Sequence, residues 1–297
     1  MNLNKYIRPE VFPTPFCQGC GHGILMQAIL RAIAALCEPR PSGRDELSLV
    51  GADPRVCPKP VVGADPRVCP NHNDKGEHMG SPLHIDKMVF VSGIGCAAWI
   101  PSPHFAADTL HTTHGRAIAF ATGVKLFNPA LKIIVVSGDG DLSAIGGNHL
   151  IHAARRNLEL TVICANNSIY GMTGGQVAPT TPCGAKTSTT PTGSTEPPFD
   201  LCKLVRGAGA TYIARSTVYH TRELIKYIKT ALTHKGFSFI DTISPCYTQF
   251  GRRNQAICGS SPAEMLLNLK KICVRAKTAD ELFTFNDKDK ILIGEFS

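Results

Sequence analysis

Two stretches of the chain carry residue types that do chemistry. The first is Cys17-Gln18-Gly19-Cys20, inside "PFCQGCGHG". Two thiols at this spacing reach one centre, and three readings are open: a dithiol redox pair, half of a zinc site, or half of an iron–sulfur site. The second is Gly138-Asp139-Gly140, followed further on by Asn166-Asn167. Glycines let backbone N–H groups approach a phosphate, and a following helix N-terminus favours its charge. Asp139 would repel a bare phosphate, so a divalent cation belongs between the two. Carboxylate and amide oxygens, a backbone carbonyl and two phosphate oxygens suit the octahedral shell of Mg²⁺. On that reading Asp139 and Asn167 are ligands. On the other, the asparagines only turn the chain.

These residues need elements to hold them. Apolar positions at helical spacing predict a helix over Gly23–Leu36. Residues 38–87 are polar and rich in proline and glycine. They contain "VGADPRVCP" twice, at Val50–Pro58 and Val62–Pro70. Two copies are too few for a solenoid, so this stretch reads as a flexible, disordered insertion. Its Cys57, Cys69, His72 and His78 imitate a zinc site, but one duplication accounts for both cysteines. From Met88 onward strands and helices alternate. Strands are predicted at Met88–Gly93, Lys132–Gly138 and Leu160–Asn166, with helices at Gly115–Phe127 and Leu142–Asn157. A loop rich in glycine, proline and threonine follows from Tyr170 to Pro198, too long for a simple connector. Then come a helix at Leu201–Gly207, strands "TYIAR" and "FSFIDTIS" around a helix, and a last helix at Pro262–Arg275.

This pattern predicts an α/β fold, a doubly wound and mostly parallel sheet flanked by helices, with ligands at the carboxyl ends of strands. The expected division is an N-terminal segment 1–37 with C-x-x-C and the first core helix, the insertion 38–87, a diphosphate-binding domain 88–200, and a C-terminal domain 201–297.

Composition bounds the function. Hydrophobic content of 43% and charged content of 18% are globular values. No apolar run reaches the roughly 20 residues of a membrane span, and "MNLNKYIRPEVF" has no h-region, so a cytoplasmic location is expected. The net charge of +8 suits anionic partners such as phosphorylated cofactors. No nucleic-acid motif accompanies it, so no nucleic-acid partner is expected. Twelve cysteines in a reducing compartment favour metal binding or catalysis over disulfides.

The pairing of Gly138-Asp139-Gly140 with Asn166-Asn167 resembles the fingerprint of thiamine-diphosphate enzymes. "YGMTGGQ" (Tyr170–Gln176) resembles its continuation in the 2-oxoacid:ferredoxin oxidoreductases. "HTTHGRAIAFATG" and "RRN" also match that family, and the resemblance spans nearly the whole chain outside 38–87. It implies a thiamine-diphosphate-binding fold, with Mg²⁺ held by Asp139, Asn167 and the backbone carbonyl of Ile169. It places Gly95, Cys96, His114, Gly138, Gly140, Asp141 and Thr173 along the cofactor, with His114 the one candidate for a catalytic role. His111 is a weaker candidate for a diphosphate or substrate contact. The β subunits of the family carry one 4Fe-4S cluster on four scattered cysteines, and Cys17, Cys20, Cys96 and Cys246 match that pattern. The other cysteines (Cys37, Cys164, Cys183, Cys202, Cys258, Cys273) are then structural.

The implied activity is oxidative decarboxylation of a 2-oxoacid to acyl-coenzyme A and CO₂, with electrons passing through the cluster to ferredoxin. The chain has room for one of the two lobes that thiamine enzymes need, so an α subunit must complete the site. "AAWIPSPHF" and "TQFGRRN" look most like 2-oxoglutarate-type subunits. Pyruvate, branched or aromatic 2-oxoacids, and a non-redox decarboxylase are the alternatives. Arg252 and Arg253 are candidates for a distal substrate carboxylate. Tyr247 departs from the family, which carries proline after its fourth cysteine.

Overall fold

The computed structural model describes residues 3–38, 83–287 and 289–297. Residues 39–82 of the expected insertion, with Cys57, Cys69, His72 and His78, lie outside the described residues. Its last residues do not belong to a flexible stretch, since Ile85–Lys87 form a 3-10 turn leading into the first strand and Leu83 and Ile85 pack against the core.

The first long element is helix α1, His22–Cys37, which starts directly after the C-x-x-C turn. Strand β1 (Met88–Ser92), strand β2 (Asp108–His111) and helix α2 (Ala117–Phe127) follow. Next come β3 (Lys132–Gly138), α3 (Gly147–Arg155), β4 (Thr161–Asn166) and a small hairpin of β5 (Ile169–Tyr170) with β6 (Gln176–Val177). Then follow α4 (Leu201–Gly207), β7 (Tyr212–Thr217), α5 (Thr221–Thr233) and β8 (Ser238–Ile243). The last elements are α6 (Gln255–Cys258), α7 (Pro262–Ile272), β9 (Cys273–Arg275), α8 (Glu281–Thr284) and β10 (Ile291–Glu295).

Eight strands form one sheet in the order β2-β1-β3-β4-β8-β7-β10-β9. The run from β2 to β7 pairs parallel; only β10 against β7 is antiparallel. The expected doubly wound, mostly parallel sheet is therefore present. Its central strands read as unbroken apolar runs because helices cover both faces. Side chains alternate between those faces with period two. Ile134 and Val136 of β3 enter the core beside α1 and α5, while Ile133 and Val135 enter the core beside α2, α3 and α4. On α5, Leu224, Ile228, Ala231 and Leu232 repeat at helical spacing and are buried. Burial of each Leu or Ile there stabilises by about 1.5–3 kcal/mol. Helix starts are set by side chains: Asp200 caps α4 by accepting from Lys203 N–H, and Ser261 caps α7 with Pro262 next to it.

The structure corrects several boundaries. The predicted helix Leu142–Asn157 opens as a single π turn, Asp141–Ile145, before α3 begins at Gly147. His111 ends β2, a strand absent from the predicted set. Residues 273–275, expected at the end of the last helix, form β9. Strands β2, β9 and β10 are short or lie at the sheet edge, where side-chain periodicity is weakest. No described helix is long and apolar enough to cross a membrane.

Candidate functional site

Four of the parallel strands lead into a residue of interest. After β1 comes Cys96, after β3 Asp139, after β4 Asn167, and after β8 Cys246. The sheet order steps outward from β1 to β2 and then back across to β3. That reversal opens a crevice at the carboxyl ends, the usual ligand position in such sheets.

Gly95, Cys96, His114, Gly138, Asp139, Gly140, Asp141, Asn167, Ile169 and Thr173 all border one cavity of about 70 Å³ in this crevice. Asp139 is 2% exposed. Its Oδ1 accepts from Asn167 N–H at 3.3 Å, and its Oδ2 accepts from the Thr180 hydroxyl. Burial pushes its carboxyl up to about 6, against those hydrogen bonds. Among the described residues no Lys, Arg or His forms a salt bridge with it. A buried carboxylate with no cationic partner beside phosphate-compatible glycines fits a divalent cation. The side-chain Oδ1 of Asn167 accepts from Ile169 N–H at 3.1 Å, which folds the Asn167–Ile169 turn toward Asp139. A Cβ on Gly140 would stand 2.4 Å from the Tyr170 ring, and Tyr170 Oη donates to Gly140 O at 3.2 Å. The Gly138–Gly140 turn is thus clamped by a side chain from the second half of the motif.

Asp141 has a bracing place. Its Oδ1 accepts from Gly115 N–H at 2.7 Å and Ile94 N–H at 3.3 Å, and the Ser137 hydroxyl donates to its Oδ2. His114 Nδ1 lies 2.8 Å from the same Oδ1. Asp141 therefore joins the loops after β1 and β2 to the end of β3, and His114 stands beside it at the cavity rim, its Nδ1 making no hydrogen bond among the described residues.

Cys17, Cys20, Cys96 and Cys246 border a second cavity, of about 300 Å³. It shares His22, Cys96, Asn167, Gly171 and Met172 with the first. Gly171 passes close to two of the sulfurs: a Cβ there would stand 3.6 Å from Cys246 Sγ and 3.9 Å from Cys96 Sγ. The four cysteines are free thiols. Burial pushes Cys20 up to about 12 and raises Cys96 and Cys246, with neighbouring thiols adding to each. Buried sulfurs of this kind become favourable as thiolates beside positive charge such as that of a metal. A single zinc would draw them to within about 4 Å of each other. A four-iron cube would hold four such thiolates at its corners. Tyr247, the departure from the family pattern, borders this cavity.

Several groups escaped the sequence reading. His22 borders both cavities at 1% exposure, and burial lowers its ring to about 4, so it is neutral at pH 7. It stands directly after the C-x-x-C turn, and that adjacency was the available signal. Thr180 comes from the long Tyr170–Pro198 loop and reaches Asp139. Asn166 Nδ2 donates to Asp241 Oδ1 at 3.0 Å, and Arg215 Nε donates to Asp241 Oδ2 at 2.8 Å. Arg215 also reaches Asp200 at 2.5 Å. This buried chain of charges holds the Asn166–Ser168 turn from below, and nothing in the local sequence announces it.

Arg253 is committed to the loop, donating to Gly174 O at 3.2 Å and to Gln249. Arg252 is exposed and lies over the Tyr247 ring. His111 is exposed and meets the Trp99 ring edge-on, and it does not border the smaller cavity. Cys164, Cys202 and Cys258 are buried away from both cavities.

Residues 93–242 match the family model described as "Thiamine pyrophosphate enzyme, C-terminal TPP binding domain". The 2-oxoglutarate synthase subunit KorB of Methanothermobacter marburgensis is 42% identical over 293 residues, covering 99% of this chain and 86% of that one. The corresponding subunit of Methanocaldococcus jannaschii is 42% identical over 98% of this chain and 90% of its own. In Saccharolobus solfataricus, a 2-oxoacid:ferredoxin oxidoreductase subunit beta is 46% identical over 54% of this chain and 53% of its own. The solved 2-oxoglutarate:ferredoxin oxidoreductase from Magnetococcus marinus superposes with a TM-score of 0.75 at 26% identity, covering 100% of this chain and 84% of that one. Its structure has 2-oxoglutarate, coenzyme A and succinyl-CoA bound. With identity of this depth along its whole length, the chain belongs to the β subunits of the 2-oxoacid:ferredoxin oxidoreductases, of the 2-oxoglutarate type.

Proposed function

We propose that this chain is the thiamine-diphosphate lobe of an enzyme that oxidatively decarboxylates 2-oxoglutarate to succinyl-coenzyme A. In this reading it holds Mg²⁺ and a 4Fe-4S cluster of its own and passes electrons to ferredoxin. One observation carries the reading: the aspartate–asparagine cavity and the four-cysteine cavity adjoin and share Cys96, Asn167 and Gly171.

When bound, thiamine diphosphate supplies the nucleophilic carbon and the electron sink, and the cluster accepts electrons singly. The chain's own residues do the holding. Asp139 and Asn167 oxygens, with the Ile169 carbonyl, hold Mg²⁺ against the diphosphate. The Gly138–Gly140 backbone and Thr173 line the phosphates. His114, beside Asp141, offers a hydrogen-bonding group at the rim. Cys17, Cys20, Cys96 and Cys246 ligate iron. Ile94 (42% exposed), Trp99 (39%) and Met172 (50%) lie along the cavities. Large apolar side chains left open beside a polar site favour a partner surface there, and an α subunit fits. Arg253 is already engaged, so a cation for the distal substrate carboxylate comes from Arg252 or from α.

The test is anaerobic co-purification with the α subunit, then assay with 2-oxoglutarate, pyruvate and a branched 2-oxoacid, each with coenzyme A and ferredoxin. Turnover with 2-oxoglutarate by a brown, iron-containing complex supports the reading. Preference for pyruvate would overturn the substrate, a colourless active complex the cluster, and full turnover by this chain alone the shared site.

A further inference from the structure

His22 faces both cavities, and nothing above gives it a task. Its place is set by tertiary contact. Gly21 packs so closely on the turn after β8 that a Cβ would stand 2.7 Å from Ser244 Oγ. Gly21 N–H donates to Pro245 O at 3.1 Å. His22 Nδ1 then meets Ser244 Oγ at 2.8 Å. These contacts lock the Cys17–Cys20 turn onto the segment that carries Cys246.

Ser244 is fully buried. Its hydroxyl has no other partner among the described residues. If it accepted a proton from Nδ1, its own proton would be buried without an acceptor, which native interiors avoid. The hydroxyl therefore donates to Nδ1, and the neutral ring carries its proton on Nε2. Among the described residues Nε2–H has no protein partner. A side chain 1% exposed thus keeps one free donor for the cavities it borders.

We propose that the Nε2–H of His22 donates a hydrogen bond to a sulfur of the cluster held by Cys17, Cys20, Cys96 and Cys246, and so makes that cluster easier to reduce. This rests on the cluster reading above. Reduction adds negative charge to the cluster sulfurs, and a fixed donor stabilises that charge. No proton leaves the ring; the donor acts by position. Ser244 is part of the device, because its hydroxyl fixes which nitrogen is the donor.

The experiment uses the complex co-purified anaerobically with its α subunit. Two variants separate the ring ends. His22→Asn keeps a polar group near the Nδ1 position for Ser244 and deletes the Nε2 end. His22→Gln places an amide near Nε2. Cluster potential is read by redox titration with electron paramagnetic resonance, alongside iron content and thiamine-diphosphate affinity. The expected result for His22→Asn is full iron, unchanged cofactor affinity and a more negative potential. At fixed poise the reduced-to-oxidised ratio falls about tenfold, the worth of one net hydrogen bond, or 59 mV for a one-electron couple. His22→Gln recovers most of that shift. A wild-type potential in His22→Asn overturns the inference. So does loss of iron in both variants, which is the mark of a packing role, or a changed cofactor affinity at unchanged potential. Absence of iron from the wild-type complex is a separate failure and overturns the cluster reading itself.

Discussion

Replacing Asp241 by asparagine tests whether the buried charge chain holds the Asn166–Ser168 turn. Asp241 is 1% exposed and accepts two hydrogen bonds, from Arg215 Nε at 2.8 Å and from Asn166 Nδ2 at 3.0 Å. An asparagine keeps one acceptor oxygen and gains an amide. Whichever donor it serves, its own NH₂ faces the other. A buried charge-assisted bond is worth about 1.5–3 kcal/mol, and an unsatisfied buried donor costs about 1–3 kcal/mol. Arg215 keeps Asp200, so its charge is not orphaned, and the loss should be about 3 kcal/mol rather than the sum of the extremes. Asp200 is the control. Its side chain is 32% exposed, so water replaces part of what Asp200→Asn removes, and about 1 kcal/mol is expected. Urea unfolding of the cofactor-free chain measures both. Because Asn166 begins the turn that carries Asn167, Asp241→Asn should also weaken thiamine-diphosphate binding about tenfold by calorimetry, equivalent to about 1.4 kcal/mol. Equal losses in the two variants, or an unchanged cofactor affinity in Asp241→Asn, would refute the idea that this chain positions the turn.

Gly140→Ala should leave backbone geometry tolerable but drive Tyr170 off the Gly138–Gly140 turn, since the new Cβ would meet the ring at 2.4 Å. Thiamine-diphosphate affinity should fall at least tenfold at a cost of about 1–3 kcal/mol for overpacking; normal affinity in a titration speaks against the clamp. Cys17→Ser or Cys20→Ser should bleach the visible iron–sulfur absorbance and leave thiamine-diphosphate binding within about threefold, because those sulfurs border only the larger cavity. Retained absorbance removes either residue from the ligand set. Burial holds the Asp139 proton on up to about pH 6, and a ligand must shed its proton. Apparent Mg²⁺ affinity measured with thiamine diphosphate present should therefore be flat above that pH and fall about tenfold per unit below it. A flat profile down to about pH 5 would mean that Asp139 is not a ligand.

The sequence by itself determined the strand–helix alternation, the Gly138–Gly140 and Asn166–Asn167 pair, and the family. Those signals are local: apolar runs mark strands buried on both faces, and glycines and asparagines mark the turns at their ends. It also named the four cysteines through family resemblance, although Cys17 and Cys246 lie far apart in the chain. Only the tertiary structure decided what surrounds them. Asp141 borders the smaller cavity, and packing also makes it the brace for the loops after β1 and β2. Arg253, a candidate for the substrate, is bound to Gly174. His22, Thr180 and the Asp200–Arg215–Asp241–Asn166 chain were illegible because their partners sit on other strands and loops. Hydrogen bonds between residues distant in sequence leave no period or motif behind. They exist only once the parallel sheet has brought four strand ends to the same edge.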